Sequence, residues 1–230
     1  MQHLRRYDDM RFPTGIIFLT SMLLSLLSIQ VALALEIDSL PTKQNPLVFD
    51  SKNRRILIYT EVNENGNQKI STHFGVVFKG GKLAEKALFR AYVSPLEVYD
   101  ALIMMGMKPG NNLTENSKGK YVEGDPLDVT VTWPGLNEEI PLKDLLTDSR
   151  GKGFEIKFGG NRTASVAEDS GCITCLESCW VGITSNSSYP VVSTLSRVFN
   201  PNSRFSINGK VFSPAGGDPV ILIYRIKTGK

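Results

Sequence analysis

The sequence predicts a β-dominated α+β domain: a mainly antiparallel sheet with one principal helix packed on it. Three observations carry that expectation. Short runs of β-branched and aromatic residues with period-2 alternation recur along most of the chain. Only one segment combines a helix start signal, helical spacing and a stop signal. At 230 residues, 41% hydrophobic and 21% charged, the chain can bury one core of ordinary size and is neither disordered nor a multi-span membrane protein.

The strands follow in order. After a polar approach from Pro41 to Pro46, Arg54–Val62 reads RRILIYTEV and ends in the turn residues Asn63–Asn67. Ser71–Lys79 (STHFGVVFK) runs into Gly80-Gly81, and Lys86–Val93 places Ala87, Phe89, Ala91 and Val93 on one face. Three strands in succession predict an antiparallel meander. Ser94-Pro95-Leu96-Glu97 then opens the helix, with Ser at the N-cap, Pro in the first turn and an early acid. Leu96, Tyr99, Leu102, Ile103 and Met107 recur at helical spacing before Gly106 and Pro109-Gly110 stop the run. Leu127–Trp133 alternates again, Leu142–Leu146 is one helical turn, and Phe154–Phe158 is a short strand. Val220–Ile226 closes the chain as a strand, with Pro219 at its entrance, where a missing N–H does least harm.

The first 34 residues set the compartment. Arg5, Arg6 and Arg11 precede an uncharged stretch from Gly15 to Leu35, and Ala32-Leu33-Ala34 is a small-x-small cleavage site. These are the parts of a secretory signal peptide, with Met1 or Met10 as the start. Asp8 and Asp9 follow Arg5-Arg6 where a twin-arginine signal wants apolar residues. The competing reading is an uncleaved anchor formed by residues 15–35, since that length spans a bilayer. Both readings export residues 35–230 as a single domain, periplasmic or secreted, with contact to the membrane only through the N-terminal segment. A formal net charge of +3 without basic runs excludes a nucleic-acid partner and leaves a protein partner.

All three cysteines fall in one run, Gly171-Cys172-Ile173-Thr174-Cys175-Leu176-Glu177-Ser178-Cys179. Three chemistries fit a C-x2-C-x3-C segment in an exported chain. One is a disulfide with a leftover thiol, since exported compartments oxidise thiols. Another is a metal ion or iron–sulfur cluster on Cys172, Cys175 and Cys179, with His73, Asp169, Glu177, water or a partner as the fourth ligand. The last is thiol redox or electron transfer, with Cys172-x-x-Cys175 opening a helix whose N-terminus lowers a thiol pKa. Covalent haem is excluded, because Leu176 rather than His follows Cys175.

From Phe74 to the end the chain resembles the YdjY-type family of exported bacterial and archaeal proteins. The resemblance rests on Gly80-Gly81, Glu85 and the strand after it, SPLEVYDALIMMGMKPGN (Ser94–Asn111), GDPLDVTVTW (Gly124–Trp133) and GGDPVILIYRI (Gly216–Ile226). The most specific piece is ALxxxGxKPG, here Ala101–Gly110, whereas Lys86 departs from the small polar residue usual after the Glu. The resemblance implies an exported, β-rich single domain of unassigned activity, and some relatives carry a ferredoxin-like 4Fe–4S label.

Other constellations are negative. His73 is the only histidine outside the leader and falls within an expected strand, a poor place for a base. There is no G-x-S-x-G, H-E-x-x-H or Walker-type loop. Asp125 and Asp128 shape a turn. Asn112, Asn161 and Asn186 fit the glycosylation acceptor pattern, and Trp133, Trp180, Tyr189 and Phe199 read as core. The sequence therefore favours a non-enzymatic binding or accessory domain whose distinctive site is the cysteine run. A thiol-redox protein and a disulfide-stapled structural or interaction module are the alternatives.

Overall fold

The alternating segments do not lie side by side in an open sheet; they close on themselves. A computed structural model of the chain describes residues 40–64, 73–194 and 205–227. The elements below lie in one unit, Pro41–Lys230. The expected leader, Phe199 and the start of the STHFGVVFK run lie outside the described residues.

Eight strands form the barrel: β2 (Arg55–Val62), β3 (Phe74–Phe78), β4 (Phe89–Ala91), β5 (Pro126–Thr132), β8 (Ile156–Phe158), β9 (Cys172–Cys175), β10 (Thr184–Asn186) and β12 (Pro219–Ile226). Their order is β2-β12-β5-β8-β10-β9-β3-β4, and β4 returns to β2. The expected plain sheet with one helix on it is thereby corrected to a closed barrel with three short helices. Closure follows from the length of β2. Along one edge, its residues 55–58 pair with β1 (Leu47–Asp50) and its residues 60–62 pair with β4. Closure pairs each of the eight barrel strands on both sides, while β1 stays an edge strand beside β2. The expected antiparallel meander also fails at β3 and β4, which pair in parallel, as do β9 and β10. The 3-10 turn Ala84–Lys86 connects β3 to β4.

Inside the barrel, Ile56, Ile58, Val76, Phe89, Val129, Val131, Phe158, Ile173, Leu222 and Tyr224 share one core. Its polar line has a fixed direction. Thr184 Oγ1 donates to the Ile173 carbonyl at 3.0 Å, so it accepts from Thr174 Oγ1 at 2.8 Å. Thr174 in turn accepts from the Tyr224 hydroxyl at 2.8 Å, since each hydroxyl has one proton to give.

The principal helix, α1 (Pro95–Met104), begins as expected. Ser94 Oγ accepts from Glu97 N and Glu97 Oε2 accepts from Ser94 N, a complete capping box. Its buried face is Val98, Ala101 and Leu102; of the expected row Leu102 and Met107 are buried, Leu96 and Tyr99 are half-buried, and Ile103 is exposed. The expected turn at Leu142 is α2 (Leu142–Leu145), between β6 (Ile140–Pro141) and β7 (Leu146–Asp148). β7 pairs with β11 (Phe205–Ile207) in a separate two-stranded sheet. A third helix, α3 (Arg162–Glu168), precedes β9; neither it nor β9 and β10 was read from the sequence. Asp125 accepts from the Lys108 amide at 2.8 Å and shapes that connection. Among the described residues no helix is long and apolar enough to cross a membrane.

Candidate functional site

The cysteine run does not open a helix. Cys172 and Cys175 begin and end strand β9, which corrects the helix-dipole route to a low thiol pKa. In a regular strand, residues three apart face opposite sides. Here the pairing of β9 with β3 is irregular: Val77 opposes Cys172 and Val76 opposes Thr174, so Ile173 is an extra residue, and Gly75 is the matching extra residue on β3. The bulge turns both Ile173 and Thr174 inward and leaves Cys172 and Cys175 together on the outer face. Gly75 fits tightly against this bulge: a Cβ there would lie 3.0 Å from Thr174 O and from Leu176 Cδ2, so its neighbours would have to give by a few tenths of an ångström.

Beyond β9 the chain turns back and brings Cys179 to the same place. The buried backbone of this turn is satisfied by groups from distant parts of the sequence. Leu176 N donates to His73 O at 2.6 Å, and Ser178 N to Tyr189 O at 3.0 Å. Asn186 Nδ2 donates to Leu176 O, and Asn161 Nδ2 to Cys179 O and Gly182 O. The three thiols therefore gather in one outer cluster with Val77, Ala84, Ala87 and Val181. All three are buried and free, so the expected disulfide staple is not what this structure contains.

The three thiols are not equivalent. Hydrogen bonds from Cys172 and Cys175 hold Cys179 well below the ordinary thiol range despite its burial, helped by the neighbouring His73 ring and the Val181 amide. Cys175 is pushed well up, by its bonds to Cys172 and Cys179 and by burial. Cys172 also rises: its bond with Cys175 acts downward, but Cys179 and burial outweigh it. Physically, hydrogen bonds from two protonated thiols favour the thiolate form of the third.

Cys179 is also the thiol on the wall of a cavity of about 300 Å³, which His73, Phe74, Leu83, Glu177, Trp180 and Val192 help to line. His73 lies just before β3 rather than within it, and its Nδ1 is 3.0 Å from Thr194 Oγ1 and 3.5 Å from Glu177 Oε1. Glu177 is 3% exposed, and its Oε2 accepts from Ser193 Oγ and Thr194 N, both at 2.6 Å. Its carboxylate thus grips a segment in which Val192, a β-branched residue, has φ +69°. Trp180, expected in the core, is only partly buried and borders this cavity, whereas Tyr189 is fully buried and Trp133 packs against the core.

Of the candidate fourth ligands, His73 and Glu177 line the cavity with Cys179, whereas Asp169 is exposed and does not line it. Among the described residues no group of three or more His, Cys, Asp or Glu side chains is arranged to hold a metal ion. A four-thiolate iron–sulfur cluster does not fit: the chain has three cysteines, and the Glu177 carboxylate beside them is taken by Ser193 and Thr194. Sequence reading passed over Ser185 and Gly182, which flank Cys175; neither residue type carries a signal by itself. The three glycosylation matches are structural residues. Asn161 and Asn186 are buried, and Asn112 bonds to Tyr121 O and Glu123 N.

Fold and site together define a closed β-barrel domain with a cluster of three buried thiols on its outer wall. Residues 47–225 match the YdjY domain model, and the chain belongs to the YdjY family. It is 37% identical over 159 residues to the Uncharacterized protein YdjY of Escherichia coli (strain K12), covering 69% of this chain and 70% of that protein. No solved structure matches the chain.

Proposed function

We propose that this YdjY domain is an exported thiol-exchange module that reduces a small disulfide at Cys179. The observation that carries the reading is the gathering of three free, buried thiols of which Cys179 lines a cavity. Export rests on the charged, apolar and small-residue pattern of the leader. The cavity is of the size that takes a small ligand, and Phe74, Leu83, Trp180 and Val192 give it apolar walls.

The chemistry balances as a two-electron exchange. The Cys179 thiolate attacks one sulfur of the incoming disulfide, its S–S bond breaks, and a thiolate leaves. A second cysteine of the cluster, losing its proton to solvent, attacks Cys179 Sγ and expels the other half of the substrate. The substrate becomes two thiols and the protein gains one disulfide. Contact among the three thiols in the reduced state means that the second step needs little movement.

Intact mass across a series of glutathione buffers tests the reading. The expected result is loss of two hydrogens with one titration midpoint, abolished in Cys179→Ser. Retention of all three thiols at every poise would overturn it. So would a native mass exceeding the denatured mass by a metal ion, which would make the cluster a thiolate metal site.

A further inference from the structure

Within the thiol-exchange reading, on which this step rests, the open question is which buried cysteine attacks second. Strands β9 and β10 run parallel, and Cys175 stands opposite Ser185 in their register. Ser185 is fully buried, and its Oγ has no hydrogen-bond partner among the described residues. The two side chains border the same gap: a Cβ on Gly182 would lie 2.9 Å from Cys175 Sγ and 2.9 Å from Ser185 Oγ. Gly182 is held beside them by the Asn161 bond to its carbonyl.

A buried hydroxyl with nothing to bond costs stability, and alanine in its place would not. Such a group makes physical sense if its partner exists only in another chemical state of the site. A protonated, neutral Cys175 is a weak acceptor; a Cys175 thiolate is a strong one, and the hydroxyl can rotate its proton toward it. The other two sulfurs have donors already. Ser170 interacts with Cys172, where its oxygen also accepts the Cys172 amide at 3.3 Å, and the Val181 amide serves Cys179. Ser185 differs in having no other bond to give up.

We propose that Ser185 is a positioning residue that arms Cys175 as the resolving thiol. Its hydroxyl donates to the Cys175 thiolate as the proton leaves, that thiolate attacks Cys179 Sγ of the mixed disulfide, and the substrate's second sulfur departs as a thiolate. The product is a Cys175–Cys179 disulfide, with Cys172 remaining a thiol.

The test uses dithiodipyridine, a small disulfide that releases a coloured thiopyridone at each step, on the reduced protein. Wild type is expected to release two equivalents in two phases. Ser185→Ala is expected to keep the first phase at its wild-type rate, to slow the second by at least about tenfold, and to have an unchanged or higher Tm. Peptide mapping of the wild-type product is expected to join Cys175 to Cys179. A wild-type second phase in Ser185→Ala overturns the role of Ser185 and leaves the exchange reading standing. A Cys172–Cys179 bond does the same, as does a Ser185→Ala protein that fails to fold, since its hydroxyl would then be a structural support. Release of one equivalent by wild type, by contrast, brings down the exchange reading itself.

Discussion

Removal of the Glu177 carboxylate is the sharpest stability test of the cavity wall. Glu177 is buried, and its Oε2 takes two 2.6 Å bonds, from Ser193 Oγ and Thr194 N. Hydrogen bonds to a charged group contribute about 1.5–3 kcal/mol each, so Glu177→Ala forfeits about 3–6 kcal/mol. Release of the gripped segment lets Val192 leave φ +69°, which returns about 1–3 kcal/mol. Taking the middle of each range, the net loss is about 2.5 kcal/mol, which for a domain of this size lowers Tm by roughly 5–10 °C. Glu177→Gln keeps one oxygen able to accept both bonds and loses only the charge assistance, about 1 kcal/mol. Thermal and urea unfolding of both variants measure the difference. Alkylation of Cys179 is expected to quicken in Glu177→Ala, because the segment it releases includes Val192 on the cavity wall. A Glu177→Ala protein within 1 kcal/mol of wild type, or a Gln variant as damaged as Ala, would show that the carboxylate does not hold this wall.

Two further predictions concern the barrel and the edge strand beside it. Asp50 is lowered to about 2, first by the Asn53 side chain and then by Arg55, whose Nε is 2.8 Å away. A depressed carboxylate contributes stability above its unfolded pKa and loses it as pH falls through the folded one. The stability gap between wild type and Asp50→Asn is therefore expected to be full above about pH 4 and to close toward pH 2, read by urea unfolding at each pH; a gap independent of pH would refute the pairing. In the hydroxyl line, Tyr224→Phe removes only the first donor and is expected to cost about 0.5–1.5 kcal/mol. Thr174→Val strands the buried Tyr224 hydroxyl and is expected to cost about 2–3 kcal/mol. The reverse ranking in unfolding measurements would mean that the direction assigned to the line is wrong.

What the sequence disclosed, and what it hid, divides along the range of the interactions. The capping box of α1 was legible because Ser94 and Glu97 are three residues apart and act on each other's backbone. The strand at Val220–Ile226 was legible because five consecutive buried residues with a proline at the entrance leave little else for it to be. Closure of the barrel was not, since it depends on one long strand sharing an edge between β1 and β4, and on two parallel pairings that alternation alone does not encode. Short strands such as Thr184–Asn186 are polar and yet fully buried, so no hydrophobic period announces them. At the site, the cysteine spacing and the candidates His73 and Glu177 were visible, but their arrangement depends on a register shift that only the pairing with β3 reveals.

That register shift is where fold and chemistry meet. Were these four residues paired regularly, without the bulge, alternation would send one of Cys172 and Cys175 into the barrel and leave the other outside. The bulge instead assigns the two inward positions to Ile173 and Thr174, which serve the core and the hydroxyl line, and both outward positions to sulfur. The strand thus meets the demands of a closed core on one face and of a thiol cluster on the other, using four residues. Deleting Ile173 would not test this, because Cys172 and Cys175 would then be two apart and share a face of a regular strand, and the deletion would also break the core. Gly75→Ala is the cleaner perturbation: its methyl would meet Thr174 O and Leu176 Cδ2 at 3.0 Å, pressing on the bulge from the partner strand while leaving every cysteine in place. If the bulge is what brings the sulfurs together, the pressure must show as altered thiol reactivity before it shows as unfolding.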